Sequence, residues 1–225
     1  MSLHEHADLI QGSDEWLAAR RGIVTASVVG QLITPKTIKP ASNDTSRALT
    51  TLLVAERITG WTDPVYVSDD MLRGTMDEPV ARDIYARHFA PVTELGFMTR
   101  DDWGWSIGYS PDGLVGDDGL IEVKSRRAKK HVATVLADQV PLENMAQIQA
   151  GLLVSGRAWC DYISYCGGMP MWIKRVHPDP RWAEAIVEAV GAFEDTAAQM
   201  VRDYQAAVDG LPLTERTDHF MEASL

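Results

Sequence analysis

Four long stretches of the chain repeat apolar residues every three or four positions, the pattern of helices that bury one face. They predict helices over residues 44–59, 68–89, 142–155 and 180–208. Pro79 lies inside the second stretch and predicts a kink or a local restart there. Shorter patterns predict helices over residues 13–21, from Thr25 or Ser27 to residue 34, and over residues 131–138.

Short apolar or alternating runs predict strands at residues 92–95, 97–99, 105–109, 158–165 and 171–177. The stretch from Ser110 to Lys124 predicts strand, tight turn and strand, because Asp118-Gly119 is a strong hairpin signal. A turn centred near Asp117 would bring Asp112 roughly opposite Val123. Residues 1–12 show no period and predict an unstructured lead.

This order of elements predicts an α/β fold with a central mixed β-sheet of about five strands flanked by helices. An N-terminal helical addition precedes the sheet, and one helix closes the chain. We expect one domain over residues 1–225, with an N-terminal helical region at 1–67, a core at 68–178 and a C-terminal helix and tail at 179–225. The tail from residue 211 has no clear period, and its role stays open.

Composition is that of a globular protein, with 45% hydrophobic and 24% charged residues in 225. No apolar run reaches the roughly 18–20 residues of a membrane span, and the first residues lack the features of a secretion signal. Cys160 and Cys166 form neither a disulfide framework nor a four-thiolate site, so we expect a reduced, cytoplasmic setting and small buried side chains.

The net charge of −11 argues against a nucleic-acid partner, but its distribution weakens that argument. The last helix and tail carry much of the negative charge. A basic strip without acidic residues follows the hairpin, and such a strip can hold a phosphate backbone although the whole chain is acidic. It comprises Lys124, Arg126, Arg127, Lys129 and Lys130, followed by His131, and its simpler interpretation is a solvated loop.

Two carboxylates and an ammonium converge in the predicted hairpin. Glu122 and Lys124 share one face of their strand, and Asp112 lies on the facing strand. Carboxylates at short range repel each other unless a cation lies between them, and oxygen ligands suit Mg²⁺ or Mn²⁺. Such a metal can activate water and stabilise a phosphodiester transition state, which the lysine can assist. The alternative is a surface hairpin with an ordinary Glu–Lys pair.

A second polar cluster is predicted where the first helix ends. Arg20, Arg21, Thr25 and Ser27 lie around one junction. Hydroxyls and an arginine beside a helix N-terminus can bind phosphate, although simple helix capping explains the same residues.

Several fragments of the chain together resemble one nuclease family. In chain order they are Trp16 with Ala19-Arg-Arg-Gly-Ile-Val-Thr-Ala-Ser27, Arg73-Gly-Thr-Met-Asp-Glu-Pro-Val-Ala-Arg82, Ser110-Pro-Asp-Gly-Leu114, Ile121-Glu-Val-Lys124 and Met145-Ala-Gln-Ile-Gln149. The similarity, from about Gly12 to His177, is to the lambda exonuclease family, or YqaJ-like viral recombinases. These belong to the restriction-endonuclease-like nucleases of the PD-(D/E)xK superfamily.

The resemblance implies a set of metal ligands and a catalytic lysine. Asp112 and Glu122 match the two metal-binding acids, with the Val123 carbonyl as a further ligand. Glu78 matches the helix carboxylate that completes the site, although an ion pair with Arg82 four residues later would also account for it. Lys124 matches the lysine that positions the nucleophilic water.

The resemblance also implies contacts with DNA. Arg20, Ser27, Ser110 and Gln147 match a pocket for the terminal 5′-phosphate, with Arg21 as an alternative to Arg20. Further candidates for contact with DNA are the wedge residue Met71, whose alternative role is core packing, and the basic residues Arg126, Arg127, Lys129 and Lys130.

The function implied is a Mg²⁺- or Mn²⁺-dependent 5′→3′ exonuclease on double-stranded DNA. It would release 5′-mononucleotides from 5′-phosphorylated ends and leave a 3′ single strand for an annealing protein. The resemblance further implies a homotrimeric ring and a phage or prophage origin, in a bacterial cytoplasm without a membrane partner. The alternatives are an endonuclease or junction resolvase on the same core, or a non-catalytic DNA-binding module.

Overall fold

The structure is a computed structural model that describes residues 2–64 and 66–216. The α-helices within these residues are α1 (Asp14–Arg20), α2 (Asp44–Thr59), α3 (Asp69–His88), α4 (Ala128–Ala137), α5 (Leu142–Ser155) and α6 (Pro180–Ala207). The strands are β1 (Leu3–His6), β2 (Val24–Thr25), β3 (Ile33–Thr34), β4 (Lys39–Pro40), β5 (Phe97–Arg100), β6 (Ile107–Tyr109), β7 (Gly113–Val115), β8 (Gly119–Ser125), β9 (Trp159–Tyr165) and β10 (Trp172–Val176).

The helices begin and end where the sequence provides caps. Asn43 and Ser46 form a reciprocal capping box at the start of α2, and Gly60 ends that helix in the left-handed region at φ 64°. Ser68 accepts a hydrogen bond from the Met71 N–H and so caps α3. These caps explain why the predicted bounds of both helices are close to the observed ones.

The predicted restart at Pro79 is wrong, because α3 runs through Pro79 as one helix. Proline removes one N–H donor and leaves the carbonyl of Thr75, four residues earlier, without its helical partner. Pro79 and Thr75 both lie on the exposed face of α3. Water can therefore satisfy that carbonyl, and the helix need not end.

Three other local predictions are corrected by long-range strand pairing. Residues 1–12 contain β1, which pairs antiparallel with β5. The helix predicted from Thr25 or Ser27 is instead β2, a 3₁₀ turn at Val29–Leu32 and β3. The strand predicted at residues 92–95 is only a single bridge between Thr93 and Leu114. The partners of β1, β2 and Thr93 lie far away in the sequence, so the local pattern could not show them, whereas β3 pairs with the nearby β4.

The strands form two four-stranded sheets and a two-stranded ribbon. One sheet has the order β1-β5-β6-β2 and the other the order β10-β9-β8-β7, while β3 pairs with β4. Both larger sheets are mixed, because β2 is parallel to β6 and β8 is parallel to β9. The number of described strands is thus larger than the five or so that the sequence predicts. They form two main sheets and a ribbon instead of one central sheet.

The main core lies between α5, α6 and the sheets. Its largest fully buried side chains include Tyr109, Tyr162, Leu152 and Ile186. Each of the two aliphatic side chains contributes roughly 1.5–3 kcal/mol through burial. A smaller cluster joins α3 to the second sheet through Ala81, Tyr85 and Ile163 among others. Helix α3 is therefore held against β8, the strand that carries the candidate site.

Among the described residues, no helix is both long and apolar enough to cross a membrane.

Candidate active site

The β7–β8 hairpin places Asp112, Glu122 and Lys124 together. Its register pairs Gly113 with Ile121, so Asp112 lies level with Glu122, one residue from the predicted partner Val123. The Asp112 side chain nevertheless reaches that residue, since its Oδ2 accepts a 2.6 Å hydrogen bond from the Val123 N–H. The hairpin and its convergence of charges are as predicted, and the pairing is shifted by one residue.

Glu122 is the most deeply buried charged residue of this group, with 0% of its surface exposed. Its Oε1 lies 2.6 Å from Lys124 Nζ, and Oε2 has no hydrogen-bond partner among residues 2–64 and 66–216. Lys124 also donates a 3.0 Å hydrogen bond to Gln147 Oε1 on α5. A buried carboxylate oxygen without a partner is costly, so this site calls for a further positive group.

Glu78 approaches the hairpin from α3 but is held by an arginine. Arg82 Nη2 donates to Glu78 Oε1 at 2.5 Å, so the ion pair considered as an alternative for Glu78 is present. Arg82 Nε also donates to the Asp112 carbonyl at 2.8 Å, and Nη1 pairs with Glu94. Arg82 therefore joins the helix acid to the hairpin, a role that sequence reasoning missed because the contact with Asp112 spans thirty residues of chain.

The carboxylates of the site affect one another electrostatically. Burial raises the pKa of Asp112 well above its ordinary value, and the charges of Glu122 and Glu78 raise it further. Burial also raises the pKa of Glu78, against the opposing charge of Arg82. Burial lowers the pKa of Lys124, but the charges of Glu122 and Asp112 outweigh it, so the net shift is upward. Three carboxylates thus share two cations, Lys124 and Arg82, and Arg82 also pairs with Glu94.

The donor set fits a hard divalent cation at the hairpin acids. Asp112 and Glu122 offer carboxylate oxygens, and Glu122 Oε2 is buried without a partner. As placed, no group of three or more His, Cys, Asp or Glu residues in the described part of the chain could hold a metal ion. Glu78, the third carboxylate, is bonded to the Arg82 guanidinium.

The arginine–hydroxyl cluster of Arg20, Thr25, Ser27 and Ser110 forms a second polar group beside the hairpin. Arg20 donates to Ser110 Oγ at 2.9 Å and to Ser27 Oγ at 3.2 Å, with a weaker contact to Thr25 Oγ1 at 3.4 Å. Thr25 Oγ1 and Ser27 Oγ lie 3.0 Å apart. Hydroxyls and a guanidinium arranged in this way can bind the oxygens of a phosphate.

Trp16 fixes the position of Arg20. The guanidinium lies over the Trp16 ring at 4.0 Å, and Trp16 Nε1 donates to Ser110 Oγ at 2.9 Å. Burial lowers the pKa of Arg20 to about 10, while the Glu56 charge acts in the opposite direction, so Arg20 remains charged at neutral pH. Arg21 Nε, in contrast, is buried without a hydrogen-bond partner among the described residues. The geometry therefore places Arg20, not Arg21, in the cluster.

Gln147 contacts the lysine of the hairpin. Its Oε1 accepts a hydrogen bond from Lys124, so its hydrogen bond goes to the candidate catalytic lysine rather than to Arg20. Of the four residues expected around a terminal phosphate, the structure brings together Arg20, Ser27 and Ser110. Sequence reasoning missed Trp16 as the link between Arg20 and Ser110, although Trp16 opens the fragment that carries the resemblance.

An open groove of about 510 Å³ is lined by four residues of the basic strip, Arg126, Arg127, Lys129 and Lys130, and by one acid, Asp70. Arg127 pairs with Asp70 and Lys130 pairs with Glu143, whereas the more buried Arg126 donates to Asn144 and Tyr162. The buried side chain of His131 forms hydrogen bonds with Ser164 Oγ and the Pro170 carbonyl, so it holds α4 in place, and the second half of the strip lies in this helix rather than in the loop considered as an alternative. Met71 is 51% exposed at the start of α3, which excludes its alternative role in core packing.

A family model described as the YqaJ-like viral recombinase domain matches residues 15–158, which contain both polar clusters. The chain belongs to this family. A comparison with curated protein sequences finds no significant match.

Solved structures agree with this assignment. The alkaline exonuclease LHK-Exo from Laribacter hongkongensis is 31% identical, with a TM-score of 0.79 over 89% of this chain and 100% of its own. A structure of LHK-Exo in complex with dAMP matches equally well. A phage-related exonuclease from Haemophilus somnus 129PT shares the fold, with a TM-score of 0.63 at 14% identity over 81% of this chain and 96% of its own. The predicted α/β, restriction-endonuclease-like fold class is confirmed, and family and fold support a nuclease.

Proposed function

We propose that the chain is a metal-dependent 5′→3′ exonuclease that acts on double-stranded DNA and releases 5′-mononucleotides. One observation carries the proposal: a buried, incompletely paired carboxylate group lies directly beside the arginine–hydroxyl cluster. Ser110 belongs to the cluster and Asp112 to the acids, and only Pro111 separates them. Two residues of chain span at most about 7 Å, so the two groups can contact neighbouring phosphates of one strand.

In this proposal Asp112 and Glu122, with the Val123 carbonyl, would hold Mg²⁺ or Mn²⁺, and Glu78 would complete the set of carboxylates. When bound, the metal ion supplies activated water and stabilises the charge that develops on the phosphodiester. Lys124 lies against Glu122 and Gln147, where it can orient the attacking water and neutralise a phosphate oxygen.

Directionality follows from the arginine–hydroxyl cluster. Arg20, Ser27 and Ser110 bind the terminal 5′-phosphate, so a phosphorylated end binds better than internal backbone. Gln147 contributes to the binding of this terminal phosphate through its hydrogen bond with Lys124. LHK-Exo in complex with dAMP supports a 5′-mononucleotide as the product.

The surfaces around the site accommodate the duplex. Met71 and its exposed neighbours Leu72 and Met76 on α3 are apolar, as expected of a wedge that separates the terminal base pair. The basic groove that contains Arg127 and Lys129 holds the phosphate backbone. We further propose a homotrimeric ring and transfer of the 3′ strand to a single-strand annealing protein, both supported by the family resemblance.

The test is digestion of a linear duplex that carries one 5′-phosphate and one 5′-hydroxyl end, with and without Mg²⁺, beside a closed circle. We expect Mg²⁺-dependent loss from the phosphorylated end and an intact circle. Cutting of the circle would instead indicate an endonuclease. No cutting of any substrate would indicate a DNA-binding module.

A further inference from the structure

The turn that follows Arg20 is held by two consecutive side chains of α2. Gly22 lies two residues after Arg20, and its N–H donates a 2.7 Å hydrogen bond to Glu56 Oε2. The Gly22 carbonyl accepts a 2.7 Å hydrogen bond from Arg57 Nε. Both backbone polar groups of Gly22 are therefore bound by side chains of one distant helix.

The backbone of Gly22 fits closely against this part of α2. Its φ of 66° is in the left-handed region, which glycine adopts without steric cost. A Cβ there would lie 2.5 Å from Arg57 Cγ. From this turn the chain enters β2 and reaches Thr25 and Ser27, the hydroxyls that Arg20 contacts. The turn therefore sets how the end of α1, which carries Arg20, lies relative to those hydroxyls.

Arg57 is itself held by α6. Its Nη1 and Nη2 each donate a 2.7 Å hydrogen bond to Glu194, and its guanidinium lies 5.0 Å from the centre of the Phe193 ring. A bidentate pair fixes the orientation of a guanidinium, so Nε is directed at the Gly22 carbonyl. The C-terminal helix thus contributes to the geometry of the turn through Arg57.

Glu56 is a buried acid, with 8% of its surface exposed. A buried carboxylate is costly unless other groups compensate its charge. Burial lowers the pKa of Arg20, and the charge of Glu56 acts against that shift. Glu56 therefore acts on the end of α1 in two ways, through its hydrogen bond to Gly22 and through the attraction of its charge for Arg20.

We propose that Glu56 is a positioning residue for recognition of the terminal 5′-phosphate and that Arg57 assists it. The inference rests on the proposed function and deepens it. Glu56 and Arg57 hold the turn at Gly22, and the turn holds Arg20 in the arginine–hydroxyl cluster. Both residues act on the phosphate through Arg20 and not by contact with it.

The experiment measures kcat/KM on 5′-phosphate ends divided by kcat/KM on 5′-hydroxyl ends. Loss of folded protein lowers both rates equally and leaves this ratio unchanged, so the ratio separates positioning from stability. The variants are Glu56→Ala, Glu56→Gln and Arg57→Ala. The control is Thr50→Ala, which removes a buried hydroxyl of the same helix that donates to the Ser46 carbonyl.

We expect Glu56→Ala to reduce the ratio about tenfold, the scale of one hydrogen bond to a charged group. Glu56→Gln should restore much of the ratio, since an amide oxygen can still accept the Gly22 N–H. Arg57→Ala should reduce the ratio a few-fold, and Thr50→Ala should preserve it. In an Arg20→Ala background, Glu56→Ala should have no further effect on the ratio, because its effect passes through Arg20.

Wild-type ratios in both Glu56→Ala and Arg57→Ala would overturn the positioning role, and so would an equal loss in Thr50→Ala. Failure of Glu56→Gln to restore the ratio, or a further loss in the Arg20→Ala background, would also contradict it. If Glu56→Ala does not fold, Arg57→Ala decides the question. A wild-type protein that cleaves both ends equally, or neither, would contradict the proposed function itself, so the two failures are distinguishable.

Discussion

The acid group on the hairpin and the arginine–hydroxyl cluster lie side by side but differ in how well their charges are satisfied. At the acids, burial raises the pKa of Asp112, and Glu122 keeps one buried oxygen without a partner among the described residues. In the cluster, Arg20, Ser27 and Ser110 bond to one another and Trp16 holds them in place. The first region thus keeps a buried carboxylate oxygen unpaired, whereas the polar groups of the second region are already bonded to one another.

The difference separates two roles within one site. Under the proposed function, the incompletely paired acids would carry the chemistry, and the arginine–hydroxyl cluster would select the end on which the chemistry acts. Functional groups are often held in unfavourable surroundings by the rest of the fold, which here is the α3–β8 packing. Substitutions in the two regions should therefore differ in their effects on activity and on stability.

The largest effect is expected for Asp112→Asn. Nuclease activity should fall about 10³-fold, since the substitution removes a charged group that acts at the reacting phosphate. Without metal, the variant should melt at a higher temperature than wild type, because the raised pKa of Asp112 shows that its charged form destabilises the folded state. The asparagine can still accept the Val123 N–H.

Nuclease assays in Mg²⁺ measure the first effect, and thermal melts in EDTA measure the second. Asp117→Asn, in the exposed hairpin turn, is the control. Unchanged activity in Asp112→Asn would remove this carboxylate from the site. A lower melting temperature would show that the acids do not repel each other as described.

Metal addition should produce the next largest effect. Mg²⁺ or Mn²⁺ at 100 times its Kd should stabilise wild type by about 2.7 kcal/mol, which raises its melting temperature by several degrees. Asp112→Asn should lose most of this increase. Calorimetric melts with and without metal test the prediction, and an equal increase in both proteins would locate the cation elsewhere.

Replacement of Arg20 should change end selection more than chemistry. Charge-assisted hydrogen bonds contribute roughly 1.5–3 kcal/mol each, so Arg20→Ala should reduce the preference for 5′-phosphate over 5′-hydroxyl ends by about 10- to 100-fold. Arg20→Lys should keep part of the preference because it retains the charge.

The ratio of initial rates on the two kinds of end measures this preference. Arg47→Ala is the control, since Arg47 is an exposed arginine that pairs with Asp44. If Arg20→Ala keeps the wild-type ratio of rates on 5′-phosphate and 5′-hydroxyl ends, the cluster has a purely structural role.

The smallest effect is expected in the basic groove. Lys129→Ala should weaken DNA binding a few-fold at low salt and lower the slope of log K against log salt by about 1, as for loss of one phosphate contact. Binding titrations at several salt concentrations measure the slope. An unchanged slope would place DNA outside this groove.

Local sequence signals predicted the acid group well. The hairpin follows from alternation and a turn within fifteen residues, so Asp112, Glu122 and Lys124 meet through short-range geometry. The predicted register was one residue off, because the loop at residues 116–118 is centred on Asp117 itself and so places Asp112 level with Glu122 instead of Val123. The link from Arg82 to Asp112 depends on how α3 packs, which no local pattern shows.

The arginine–hydroxyl cluster was harder to predict, because its geometry depends on distant strands. Thr25 is held by parallel pairing of β2 with β6, and a two-residue strand has no periodicity to detect. The apparent helix start at Thr25 or Ser27 was a reasonable local prediction that tertiary pairing overrides. Gln147 could not be assigned to a neighbour, since helical periodicity gives its face but not which group faces it.

The most direct test of the proposed 5′→3′ exonuclease activity is the chemical identity of the first product. A duplex labelled with ³²P at its 5′-phosphate is digested in Mg²⁺, and the label is followed by thin-layer chromatography. We predict that the label appears first in a 5′-mononucleotide and that Lys124→Ala releases almost none. Label found in oligonucleotides, in free phosphate or in progressively shortened strands would contradict a 5′→3′ exonuclease.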